Sequence, residues 1–326
     1  MTTIEFKNVY VKSEAILVGQ KEKDGPLGSY FKDYSNDPYF GQKSFEQAEI
    51  EMNRLCILKC LEKANIKQVD CMYGGDLMNQ LCTNYVASKI ESPFIGMYGA
   101  CSTSALTIGH AAIAVDYLKM KHVLAFTSSH TQVAERQFRY PNEYGGQKKE
   151  CATSTVTGAG SLLLSNEFSD IKVTSFTIGK VVDWNFADVN DMGKAMVPAA
   201  YETIMEHFSD LNRTFDDYDL VITGDLGKMG YAMLYDMLQK KRFFMNYKLN
   251  DCGIQIYDIN HQNVYCGGSG CACSMVVLLS KLFDLLRTNE MKRILLVATG
   301  CLHNVFLTQQ KLPIPTIAHA ICFERS

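Results

Sequence analysis

The chain has 326 residues, 47% of them apolar, and a formal charge of −3 at pH 7. That is enough apolar material for one large body or two ordinary domains, and the weakly negative balance argues against nucleic acid as the main partner. No run of about 18 apolar residues occurs, and the start Met1-Thr2-Thr3-Ile4-Glu5-Phe6 lacks a basic-then-apolar leader pattern, so any membrane association is expected to be peripheral.

Ala15–Val18 reads as a strand, followed by a polar, turn-rich surface loop through Asp24-Gly25-Pro26 and Asn36-Asp37-Pro38. That loop holds five aromatics between Tyr30 and Phe40, a candidate docking patch for membrane partners, with packing onto the body or a homodimer contact as the alternatives. Ser44 to Ala64 has helical spacing, then come strand Val69–Tyr73, helix Gln80–Ile90 and strand Phe94–Gly96. Glu135 to Lys149 is an aromatic and basic excursion, with Lys148-Lys149-Glu150 read as a solvated charge run. Strands at Ser161–Leu164 and Ile171–Ile178 close the first half. The second half repeats the alternation: helix Ala199–Phe208, strand Leu220–Thr223, helix Tyr231–Lys240, strand Ile294–Thr299 and a last strand after Pro315. Such alternation predicts sheets covered by helices on both faces. Twelve cysteines, mostly in apolar patterns (Cys56, Cys60, Cys82, Cys322), suit a reducing, intracellular setting better than a disulfide framework.

Two segments stand out. Gly99-Ala100-Cys101-Ser102-Thr103-Ser104 opens an Ala-rich apolar helix, which places one thiol where unpaired N–H groups and the helix dipole favour a thiolate or a bound carboxylate. Gly270-Cys271-Ala272-Cys273-Ser274 repeats the construction, and the 171 residues from Gly99 to Gly270 also separate Lys121 from Lys292. Gly75-Asp76-Leu77 is echoed by Gly224-Asp225-Leu226. Matches in the same order indicate a duplicated chain.

A duplicated βα unit with a cysteine at the start of a buried helix resembles the thiolase and ketoacyl-synthase fold. The resemblance implies an α/β chain of two thiolase-like halves, 1–168 and 169–326, forming a five-layer α/β/α/β/α body. It narrows further on Gly99-Ala100-Cys101-Ser102-Thr103, Glu135-Arg136-Gln137-Phe138-Arg139-Tyr140-Pro141-Asn142-Glu143-Tyr144-Gly145, Thr153-Ser154-Thr155-Val156-Thr157-Gly158-Ala159-Gly160, Gly267-Gly268-Ser269-Gly270-Cys271-Ala272-Cys273-Ser274 and Ile314-Pro315-Thr316-Ile317-Ala318-His319-Ala320. These resemble the SpoVAD family of sporulation proteins over nearly the whole chain. That resemblance implies a protein of sporulating cells, peripheral at the inner spore membrane. It would bind dipicolinic acid (pyridine-2,6-dicarboxylate), alone or with calcium, and move it with the other SpoVA proteins.

Thiolase-type chemistry uses a cysteine nucleophile with a histidine partner. Cys101 fills the first position, but the residue in step with the histidine is Val264, and His261 reads as an exposed loop residue. A binding protein on an enzyme scaffold, with no catalytic residues and no cofactor, is therefore expected, the alternative being an acyltransferase with Cys101 as nucleophile. The expected ligand contacts are Cys101 and Ser102 at the helix start, Arg136 and Arg139 as carboxylate forks, Phe138 and Tyr144 against the ring, and Gly268, Ser269 and His319 around them. For the arginines and tyrosines a surface or homodimer role weighs evenly with this one, and for His319 a core role does. Cys266, Cys271 and Cys273 lack metal-ligand spacing, so no metal is expected.

Overall fold

The computed structural model describes residues 2–78, 82–138, 148–243, 245 and 247–326. In the first half lie β1 (Tyr10–Gly19), β2 (Cys71–Asp76), β3 (Phe94–Gly96), β4 (His122–Ser129) and β5 (Gly158–Ser165). In the second lie β6 (Ile171–Thr177), β7 (Leu220–Thr223), β8 (Leu249–Asp251), β9 (Arg293–Cys301) and β10 (Thr316–Arg325). The first set is ordered β3-β2-β4-β5-β1 and the second β8-β7-β9-β10-β6, the same order reached twice. Directions agree as well. β2 is parallel to β3 and β4, as β7 is to β8 and β9, and the remaining neighbours run antiparallel. A contact at Tyr10 and Lys172 joins the two sets into one hydrogen-bonded path.

The helices that matter are α1 (Phe45–Lys63), α2 (Thr103–Asp116), α3 (Thr131–Phe138), α4 (Met192–Leu211), α5 (Gly227–Lys240) and α6 (Cys271–Val277). Helix α1 closes the outer face of the first sheet through Met52, Cys56, Ile57 and Cys60. Helices α4 and α5 do so for the second through Val197, Ile204, Leu234 and Leu238. Helices α2 and α6 fill the space between the sheets, sharing one cluster with residues of both, such as Leu162 and Phe323. The five expected layers are present. Helix α2 has no charge before its last residue, and every residue of α6 is buried, the signature of helices covered all round. The two cross at their starts, where the Ser104 and Ser274 hydroxyls bond at 2.7 Å.

One expectation changes. Helix α4 begins at Met192 rather than Ala199 and runs through Pro198, with the Asp191 carboxylate accepting from Lys194 N–H at 3.2 Å to cap it. A proline beyond the first turn normally ends a helix; here burial of Ala195, Met196, Val197, Ala199 and Ala200 outweighs the missing bond. In the loop from Tyr30 to Phe40, Phe31 is fully buried and Tyr39 stacks on Phe45 with centroids 4.5 Å apart, while Tyr34 and Tyr39 remain exposed. Packing takes part of this aromatic set and the surface keeps the rest.

Glu49 on α1 is fully buried and accepts the Ser128 hydroxyl at 2.9 Å. Burial, with the nearby Asp76 charge, pushes its carboxyl from 4.5 up to about 8. Because the folded chain then holds the proton more tightly than the unfolded chain, stability falls as pH rises between these values and does not recover above them. Glu49→Gln should flatten that decline, leaving the variant more stable at pH 9 relative to pH 5 by on the order of 4 kcal/mol. Urea unfolding at pH 5, 7 and 9 checks it; a wild-type stability that does not decline between pH 5 and 9 would show that Glu49 is not held neutral.

Candidate functional site

A cavity of about 340 Å³ opens where the starts of α2 and α6 meet the ends of β2 and β9. Its floor is built by tight backbone contacts. Gly300, at the end of β9, stands where a Cβ would lie 2.2 Å from the Gly99 carbonyl oxygen, so only glycine lets β9 press against the turn carrying Cys101. Gly270, with φ +99, is open to glycine alone; its N–H donates to the Asp225 carboxylate at 3.0 Å. The Ala100–Ser102 turn precedes α2, and Cys101 faces the cavity.

Asp225 lies on the floor, 1% exposed. It accepts the Thr299 hydroxyl at 2.8 Å, Gly270 N–H and the Cys101 thiol. Burial pushes it up to about 7, against the pull of those three donors. Its loop is fixed by Asp251, which accepts from Leu226 N–H at 2.8 Å, Gly227 N–H at 3.1 Å and the Thr223 hydroxyl at 2.7 Å. Burial, then the Asp225 carboxylate, pushes the Cys101 thiol well above its ordinary value. The expected thiolate is therefore corrected to a thiol: desolvation and a neighbouring anion oppose what the helix start offers.

Walls of Leu77, Ala134, Phe138, Met192, Met196 and Leu302 are apolar. Thr153, Thr155, Ser269 and Asn304 add hydroxyls and an amide, and Glu135 stands at the edge, ion-paired with Lys148 at 2.9 Å. Lys149 and Glu150 are exposed, as a solvated run requires, and Lys148 alone of the three turns to a residue of the cavity. His303 also lines the cavity, its ring 5.5 Å from that of Phe138.

Of the expected contacts, the cavity gathers Cys101, Phe138 and Ser269. Arg139 and Tyr144 lie outside the described residues. Ser102 is buried and donates to the Gly99 carbonyl at 2.6 Å, bracing the turn from behind. Gly268 is buried beside Ser269, in a two-residue strand paired with Ser154–Thr155. Arg136 is half-exposed and pairs with Glu46 of α1 at 2.9 Å; Ala134 and Phe138, one turn apart, face the cavity, so the residue midway between them points away. His319 on β10 is 3% exposed and accepts Gly179 N–H at 3.2 Å. Burial, with His110 beside it, lowers it to about 4, making it a neutral core histidine. Val264 is fully buried in the central cluster, and His261 pairs with Asp258 at the surface. Sequence reasoning gave Asp225 no role in the site and missed His303 and Asn304. The repeated Gly-Asp-Leu was the available signal for the first; the other two follow a strand end with no motif. Among the described residues, no group of three or more His, Cys, Asp or Glu is arranged to hold a metal ion.

The family model described as Stage V sporulation protein AD (SpoVAD) matches residues 1–324. Stage V sporulation protein AD of Bacillus subtilis (strain 168) is 48% identical over 321 residues, covering 98% of this chain and 95% of that protein. The chain belongs to the SpoVAD family. Among solved structures, 3-oxoacyl-[acyl-carrier-protein] synthase III from Aquifex aeolicus VF5 matches with a TM-score of 0.61 at 13% identity, over 97% of this chain and 99% of that one. OleA from Xanthomonas campestris matches with a TM-score of 0.62 at 11% identity, over 98% and 99%. Those likenesses establish the thiolase-like fold for this SpoVAD member.

Because the Cys101 thiol is held protonated, alkylation by iodoacetamide at pH 7 should be slower than that of free cysteine and should speed up with rising pH. Asp225→Asn, which removes the anion, should accelerate it. Peptide mass spectrometry over time gives both rates; a Cys101 alkylated faster than free cysteine would mean a thiolate after all.

Proposed function

We propose that this SpoVAD-family chain is a non-catalytic binding protein for dipicolinic acid, free or as its calcium chelate. In this reading it hands the ligand to the other SpoVA proteins at the inner spore membrane of sporulating cells. The observation that carries the reading is the small cavity at the old nucleophile position, whose cysteine is tied to a carboxylate instead of to a histidine. Apolar faces from Phe138, Met192 and Met196 suit a flat aromatic ring, and hydroxyls of Thr153, Thr155 and Ser269 suit its carboxylates. No helix among the described residues is long and apolar enough to cross a membrane, so delivery would require partners that do.

The rival reading is acyl transfer through Cys101, favoured by His303 and Asn304 lining the same cavity. Against it stands the protonated thiol bonded to Asp225. Incubation with acyl-CoA followed by intact-mass measurement distinguishes the two; an acylated Cys101 that turns over would establish the enzyme.

Isothermal titration with dipicolinate, and with its calcium chelate, should give one site per chain. Met196→Trp, which fills the cavity, should abolish the heat. Phe138→Ala should weaken binding about tenfold, the loss of one aromatic contact. Arg136→Ala, outside the cavity, should leave affinity within about twofold. A cavity-filling variant that still binds at wild-type affinity would place the ligand elsewhere.

A further inference from the structure

The cavity has an unusual charge balance for an anion site. Its described lining contains Asp225 and Glu135 but no lysine or arginine. Glu135 is neutralised by Lys148 at 2.9 Å. Asp225 has no such partner. Facing it are the thiol of Cys101 from the turn before α2, the Thr299 hydroxyl and Cys301 from β9, Gly270 N–H and Cys271 from the start of α6, and Asp251 from the end of β8. Those groups are neutral, apart from one further carboxylate. His303 faces the same cavity from the segment after β9.

Resting on the dipicolinate reading, we propose that Asp225 makes binding of the calcium-free ligand proton-coupled: the site accepts the dianion only with a proton taken from solvent onto an Asp225 carboxylate oxygen. Two unpaired anions in one desolvated cavity repel strongly. Protonation removes the repulsion and turns an acceptor-only carboxylate into an O–H donor for the ligand's carboxylate, while the Gly270 N–H and Thr299 hydroxyl bonds remain. Burial already brings Asp225 up to about 7, so the proton is available near neutrality. The calcium chelate, which carries no net charge, needs no proton. Asp225 then sets which form of the ligand the site accepts at a given pH.

Because only the protonated fraction binds, apparent affinity for calcium-free dipicolinate should fall about tenfold from pH 6 to pH 8. Titrations at pH 8 in buffers of different ionisation heat should show close to one proton taken up per ligand. Asp225→Asn should remove both the pH dependence and the uptake while still binding. The calcium chelate should bind wild type with little change across the same range. Binding without proton uptake, uptake that persists in Asp225→Asn (which would assign it to His303 or Glu135), or an equal decline for the chelate would each overturn the inference. Absence of binding at every pH, for both forms, would overturn the dipicolinate reading and this inference with it. Proton uptake measured on wild type does not depend on the variant folding.

Discussion

The site depends on two helices whose starts cross between two sheets. A helix covered on every side has no water to satisfy its first four N–H groups, so its start must be served by neighbouring side chains or by a ligand. The small residues of α2 and α6 let them approach until Ser104 and Ser274 bond directly. With both starts drawn to the centre, the strand ends that reach them must supply polar groups in an otherwise apolar interior. Asp225, braced by the Thr299 hydroxyl, accepts the Gly270 N–H, and the Thr127 hydroxyl donates to the Cys271 carbonyl. The cavity lies where that polar seam meets the surface, and its chemistry follows from the packing.

Much of this was legible from sequence because a duplicated fold writes its signature twice. The glycine-cysteine helix starts and the Gly-Asp-Leu turns mark equivalent points of the two halves, and strand order repeats accordingly. The start of α4 was not legible, because a proline's local cost is visible in sequence whereas the tertiary burial that overrides it is not. The loop from Tyr30 to Phe40 lies at the surface as its polar turn residues signal, and only Phe31, which reaches the central core, was not legible locally.

The site was read less well than the fold. Arginines were sought because carboxylate ligands call for them, but neighbouring residues on a helix face different ways, and Arg136 found Glu46 instead. Histidine in a strand gives no sign of which face it takes, so His319 could belong to pocket or core. The helix start at Cys101 suggested a thiolate, since neither the burial that raises the thiol nor the carboxylate that adds to it, more than a hundred residues away, shows in the local sequence. Contacts of that range are set by topology alone.

The repeated aspartates show what duplication makes possible. Asp76, at the end of β2, is saturated by its own half: it accepts from the N–H groups of Met78, Cys82 and Thr83 and from the Thr83 hydroxyl, all within seven residues. Asp225, its counterpart at the end of β7, leaves its following loop to Asp251 and instead binds groups from the turn before α2, from β9 and from α6. One copy is thus consumed in holding a loop, and the other bridges three separate elements at a cavity floor. A chain with a single copy would have to choose between those duties. Holding two, it keeps a loop fixed in one half and leaves the other carboxylate to shape the floor of a cavity.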